Sequence, residues 1–217
     1  MDLSQFTPSS ALLTVVLLAL APFVAVMVTS FTKLVVVFSL LRNALGLQQV
    51  PPNVVLNGLA LVLTLYVMYP VGVEMGTKLK DVKDIGSSTQ SMLRAADVAK
   101  EPLRDFLLKH SRPAERAFFL HTAQRSLPPE QAAAITDRDF LVVVPGFTVS
   151  ELSVAFEIGF LIFLPFLVID MVVSNILMAM GMQMLSPTTV SMPFKLLLFV
   201  LLDGWVKLTH GLIQTYF

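Results

Sequence analysis

The chain contains no cysteine. Disulfides, thiol catalysis and cysteine-ligated zinc are thereby excluded. Charge is scarce as well: charged residues make up 14% of the 217 positions, against about 25% in soluble globular proteins. Neither sign is in surplus, since Lys+Arg and Asp+Glu are 15 each. Without a basic excess to hold a phosphate backbone, nucleic acid is not an expected partner. The histidines, His110, His121 and His210, are dispersed with no H-E-x-x-H spacing, so no metal is expected. No G-x-x-x-x-G-K-[ST] loop and no G-x-S-x-G elbow is present. No catalytic residue and no cofactor is expected from these motifs.

What is abundant is apolar surface, at 55% of residues. The charges are also segregated. Residues 74–139 carry 21 of the 30, whereas the other 151 positions carry nine. This is the distribution of a membrane protein with one soluble insert. It divides the chain into N-terminal hydrophobic helices (1–73), a soluble helical insert (74–139) and a C-terminal hydrophobic helical hairpin (140–217). The fold class is all-α.

Residues 11–28 hold 16 apolar residues in 18, and about 20 such residues cross a bilayer core. The acidic start at Asp2, and the apolar sequence that continues past Ala19-Leu20-Ala21, favour an uncleaved segment over a cleaved leader. Lys33 and Arg42 follow without a nearby acid, in what reads as a short connection. The positive-inside rule puts that connection in the cytoplasm and the insert on the periplasmic side of a bacterial inner membrane. Residues 54–71 are 14 of 18 apolar after the break at Pro51-Pro52, with Tyr66 and Tyr69 at interfacial positions. Gly72-x-x-x-Gly76 matches a small-residue packing motif only weakly.

The insert reads as short helices. Pro102 and Pro113 suit first-turn positions, with Ser111 as a cap. Residues 114–125 carry Phe118, Phe119 and Ala123 at helical spacing, and Pro128-Pro129-Glu130 opens another helix. Residues 86–90 predict a mobile polar loop. Residues 140–144 form a brief apolar run closed by Pro145-Gly146. Thr148-x-x-Glu151 then matches a capping box that would open the third segment. That segment includes Gly159, Pro165, Asp170, Ser174 and Asn175. The last one is flanked by Lys195, Asp203 and Lys207. An Asp or Lys at the bilayer centre costs about 2.5–3.5 kcal/mol, so both segments read as packed against protein or lining a cavity.

Two constellations stand out. Asp170 and Lys195 lie on either side of an uncharged turn, where an ion pair competes with separate snorkelling; a proton relay through Asp170 is a further reading. Met178, Met180, Met182 and Met184 alternate around Gly181 before Ser186-Pro187. Their period of two is not helical and favours a partly looped segment. As a group they are either core filler at a helix end or an adaptable seal.

Ser30-Phe31-Thr32-Lys33, Leu41-Arg42-Asn43-Ala44-Leu45-Gly46 and Pro51-Pro52-Asn53 resemble the N-terminal half of the bacterial type III secretion export-apparatus family FliP/SctR (YscR/HrcR). Ser150-Glu151-Leu152, Ala155-Phe156-Glu157-Ile158-Gly159-Phe160, Pro165-Phe166-Leu167-Val168-Ile169-Asp170, Met178-Ala179-Met180-Gly181-Met182, Pro193-Phe194-Lys195-Leu196 and Asp203-Gly204-Trp205 resemble its C-terminal half more closely. Only the insert lacks a family motif. The resemblance implies a non-enzymatic subunit of a helical export gate, assembled as a homo-oligomer (a pentamer) with SctS/FliQ-like and SctT/FliR-like subunits. SctU/FlhB-like and SctV/FlhA-like components and unfolded secreted proteins are implied partners. It places a pore gasket on Met182, Gln183 and Met184, with Gln183 a departure from the family's usual methionine. Ser174-Asn175-Ile176-Leu177 and Leu208-Thr209-His210-Gly211-Leu212 resemble the injectisome members. A proton-coupled secondary transporter is the alternative from another class, and an intramembrane protease using Asp170 and Asp203 a further one; neither has a supporting repeat or motif.

Overall fold

In a computed structural model, residues 8–80, 89–182 and 184–217 are described. Every apolar run becomes a helix, and no strand occurs among the described residues. In chain order the helices are α1 (Pro8–Met27), α2 (Phe31–Ala44), α3 (Asn53–Lys80), α4 (Thr89–His110), α5 (Pro113–Ser126), α6 (Pro129–Ala134), α7 (Phe140–Ala179), α8 (Pro187–Leu201) and α9 (Gly204–Gln214). Of the polar stretch 86–90, Thr89 and Gln90 open α4, and residues 86–88 lie outside the described residues.

Among the described residues two helices, α3 and α7, are long and apolar enough to cross a bilayer, and α8 with α9, bent by 62°, makes a third if counted as one broken span. The 20 residues of α1 extend about 30 Å at about 1.5 Å per residue. The most apolar stretch of α7 is only 17% buried. Most of its apolar surface is therefore uncovered in the single chain.

Several local expectations are corrected. Lys33 and Arg42 do not lie in a loop: both belong to α2. Leu34, Val37, Phe38, Leu41 and Ala44 line one face of that helix and are buried, so burying the apolar stripe outweighs two charges. Residues 140–144 are not a separate run, because α7 is continuous through Pro145 and Pro165 for 40 residues. The Thr148-x-x-Glu151 pattern is consequently mid-helix. Thr148 Oγ1 donates to Val144 O at 2.9 Å, a bond to the preceding turn. Pro102 lies inside α4, whereas Pro113 opens α5 as expected. Ser111 does not cap α5; the N-cap is Arg112, and Ser111 Oγ accepts from Arg116 Nη1 at 2.8 Å.

The largest helix contact is between α2 and α7. It depends on Gly159. A Cβ there would stand 2.2 Å from Leu40 Cδ1 and 3.1 Å from Leu40 Cβ, so Leu40 would have to change rotamer and the two helices shift by a few tenths of an ångström. Leu34, Val37 and Phe38 of α2 meet Leu56 and Ala60 of α3, Ala155 of α7 and Leu212 of α9 in one core cluster. Phe106 and Leu107 of α4 join Val143 and Phe147 of α7 and Tyr216 in a second. Through this second cluster the charged insert is packed onto the hydrophobic helices.

Candidate functional site

The α7–α8 hairpin carries both groups of predicted site residues. Helix α7 stops because Gly181, at φ +70°, reverses the chain. Its N–H donates to Met178 O at 3.0 Å, and the N–H of Met182 donates to Leu177 O at 2.9 Å. These two bonds form a Schellman cap, which a residue in the left-handed region makes possible. Helix α8 restarts at Ser186-Pro187, with Pro187 in its first turn, where a missing N–H costs nothing.

Between these stops lies the methionine loop. Met182 is 43% exposed and Met184 fully exposed; Gln183 lies outside the described residues. Met178 and Met180 are exposed as well. None of the four is core filler in this chain. Behind the loop, Val172, Ile176, Leu177, Met180, Met182 and Phe194 border an open apolar groove of about 640 Å³.

Asp170 and Lys195 meet across the hairpin. Lys195 Nζ lies 2.6 Å from Asp170 Oδ2 and donates also to Ala44 O, at the end of α2, at 3.2 Å. Asp170 Oδ1 accepts from Ser191 Oγ at 2.5 Å. Lys195 is buried and Asp170 partly so. Both carboxylate oxygens are therefore engaged, and the ammonium links the hairpin to α2. Among the described residues no group of three or more His, Asp or Glu is placed to hold a metal ion.

A second buried charge cluster escaped sequence reading. Lys33 Nζ of α2 lies 3.3 Å from Glu151 Oε1 of α7, and each side chain is at most 3% exposed. The Tyr216 hydroxyl donates to Glu151 Oε2. The ammonium also sits 3.6 Å from the centre of the Tyr216 ring, a cation–π contact. Tyr216 in turn stacks on Phe106 and meets His110 edge-on at 5.1 Å. Burial, and then the Lys109 and Lys33 charges, lower the His110 pKa to about 4. One cluster thus joins α2, α7, α4 and the residues after α9. The local signal was present: Val143, Phe147, Glu151, Ala155 and Gly159, all buried, recur every fourth residue, so Glu151 lies within an inward-facing stripe.

The arrangement is one of anchors around an exposed loop. The paired charges link helices: Lys195 with Asp170 joins α8 to α7, and Lys33 with Glu151 joins α2 to α7.

Comparison with known proteins agrees with the resemblance. The model of the FliP family matches residues 12–212. "Hypersensitivity response secretion protein HrcR" of Ralstonia nicotianae is 49% identical over 210 residues, covering 96% of this chain and 97% of its own. "Yop proteins translocation protein R" of Yersinia pestis is 52% identical over 200 residues, covering 92% of each chain. "Pathogenicity-related ORF2" of Xanthomonas campestris pv. glycines is 52% identical over 208 residues, covering 96% of each. With a family match over nearly its whole length and full-length relatives at about half identity, this chain belongs to the FliP family.

Proposed function

We propose that the chain is a core subunit of a type III secretion export gate of the injectisome kind, with no enzymatic activity of its own. Full-length similarity to proteins named for secretion and translocation supports this reading. The observation that carries it is the α7–α8 hairpin. Two ordered stops hold a short loop whose methionines are exposed in the single chain. Met adapts to many shapes without a preferred one. Several copies of the loop would form a gasket of Met182, Gln183 and Met184 that closes on itself and around any passing side chain. A narrow apolar ring also opposes ion leak by dewetting.

The wider reading follows. Residues 1–73 and 140–217 are the membrane-associated halves and 74–139 the insert, on the periplasmic side of the bacterial inner membrane. The exposed apolar flanks of α3 and α7 support assembly into a pentamer with SctS/FliQ-like and SctT/FliR-like subunits. SctU/FlhB-like and SctV/FlhA-like components and unfolded secreted chains complete the set of partners. The transporter alternative gains nothing, because both oxygens of Asp170 are engaged by Lys195 and Ser191.

The test is deletion of 182–184 in cells that assemble the complex, with solute leak and secretion measured together. Leak should rise while assembly and part of secretion persist, and Gln183→Met should tighten the seal. Loss of assembly with leak at background would return the methionines to a packing role.

A further inference from the structure

The chain has no cysteine, so all of its sulfur is in 11 methionines. Four of these, Met178, Met180, Met182 and Met184, fall within seven residues. Met184 is fully exposed, and Met178, Met180 and Met182 are 58%, 60% and 43% exposed. Met68, by contrast, is packed against the core cluster that holds Phe106 and Phe147. A thioether reacts with a hydroperoxide where the oxidant can reach the sulfur. Met182 and Met184 are further set apart by their place in the chain. They follow the end of α7 and precede α8, whereas Met178 lies within α7.

Oxidation here would change the chemistry of the loop and leave the hairpin standing. The side-chain contacts that join α7 to α8 include Lys195 and Ser191, both on Asp170, and α7 is ended by backbone bonds at Gly181 and Met182. None of these uses a thioether. The groove behind the loop is different: every side chain that borders it, Met180 and Met182 among them, is apolar. A sulfoxide oxygen is a strong hydrogen-bond acceptor, and in that groove it finds no side-chain donor. It therefore turns to water, since burying it unpaired is costly. An apolar constriction that closes by dewetting is wetted by such a group.

We propose that Met182 and Met184 form a redox-sensitive modification site, at which a hydroperoxide opens the seal by converting the thioethers to sulfoxides. A lone pair on Sδ attacks the terminal peroxide oxygen. The S–O bond forms as the O–O bond breaks, and an electron pair passes from sulfur to the peroxide. The departing oxygen takes the proton of the transferred hydroxyl and leaves as water, or as an alcohol from an alkyl hydroperoxide. The product is polar and chiral, and sulfoxide reductases return it to the thioether, so the change is reversible. The flexible apolar side chain that suits a seal is thus also the group that oxidation disables. Its effect on leak rests on the gate reading above; the chemistry at the sulfur does not.

The experiment treats the full chain, and the assembled complex, with hydrogen peroxide and follows the added oxygen on each methionine by peptide mass spectrometry. Met184 should oxidise severalfold faster than Met68 in both. Reaction of Met184 no faster than that of Met68 in the complex would overturn the site. Solute leak is then measured in cells that assemble the complex, each chain against its own untreated baseline. Peroxide should raise leak severalfold in wild type and leave it unchanged in Met182→Leu with Met184→Leu, which keeps the apolar volume and removes the sulfur. An equal rise in both would overturn the loop as the sensor. Met184→Gln, a polar side chain of similar length, is the second variant. It should leak without peroxide, and an assembled Met184→Gln complex at background leak would overturn the switch. Leak from the 182–184 deletion without leak on oxidation would overturn the switch alone; no leak from either would overturn the gate reading with it.

Discussion

Replacing Glu151 by Gln should be among the most damaging isosteric changes in this chain. The substitution keeps the shape and leaves an acceptor for the Tyr216 hydroxyl. It removes the carboxylate paired with Lys33, whose ammonium is buried and 3.3 Å away. Breaking one side of a buried pair costs about 3–5 kcal/mol, because the remaining charge is left in a poorly solvated site. For a chain of this length each kcal/mol lowers Tm by about 2–4 °C, so the fall should be about 6–20 °C. Lys33→Met should do similar harm by stranding the carboxylate. Combining Lys33→Met with Glu151→Gln removes both charges, and buried pairs replaced by neutral groups of similar volume are often tolerated. The double variant should therefore be more stable than either single one, with a coupling of about 3 kcal/mol. Tyr216→Phe separates the remaining contacts. It retains the ring 3.6 Å from Lys33 Nζ and loses only the hydroxyl, at about 1.5–3 kcal/mol for a hydrogen bond to a charged group. Thermal unfolding in detergent can be followed through Trp205, the one tryptophan, which packs against Phe38 and Phe199. Additive losses in the double variant would refute the argument, since the two charges would then not be felt by each other.

The same logic applies to the hairpin: Asp170→Ala should impair assembly more than Asp170→Ala with Lys195→Ala, and additivity by blue-native electrophoresis would argue against a coupled pair. Gly159→Ala should cost about 1–3 kcal/mol through overpacking against Leu40, and Leu40→Ala should recover part of it in the same unfolding assay. His110 titrates at about 4 in the folded chain against an ordinary 6.5. A depressed pKa stabilises the fold fully above the ordinary value, so stability should decline as pH falls from about 6.5 toward 4; His110→Gln should flatten that slope in Tm measured against pH, and an unchanged slope would assign it to other groups.

The helical class, the order of the apolar segments and the proximity of Asp170 to Lys195 were all legible from the sequence. Hydropathy and turn chemistry act locally: Gly181 takes a positive φ that ends α7 and Ser186-Pro187 restarts the chain as α8, and two charges flanking one turn have few other partners. The Lys33–Glu151–Tyr216 cluster was decided by tertiary structure, because its members are 118 and 65 residues apart and nothing local marks a partner at that distance. Local rules also misled. Lys33 after an uncharged stretch read as a loop charge, and Thr148-x-x-Glu151 satisfies the spacing of a helix start. Such spacing cannot reveal that the preceding residues are already helical, as 140–147 are in α7. A membrane-length helix with Pro145 inside it persists because its buried face, from Val143 through Phe147, Glu151 and Ala155 to Gly159, runs unbroken against α2, α4 and α5. Packing along that face outweighs the proline's lost hydrogen bond, and it sets Glu151 opposite the one lysine of α2.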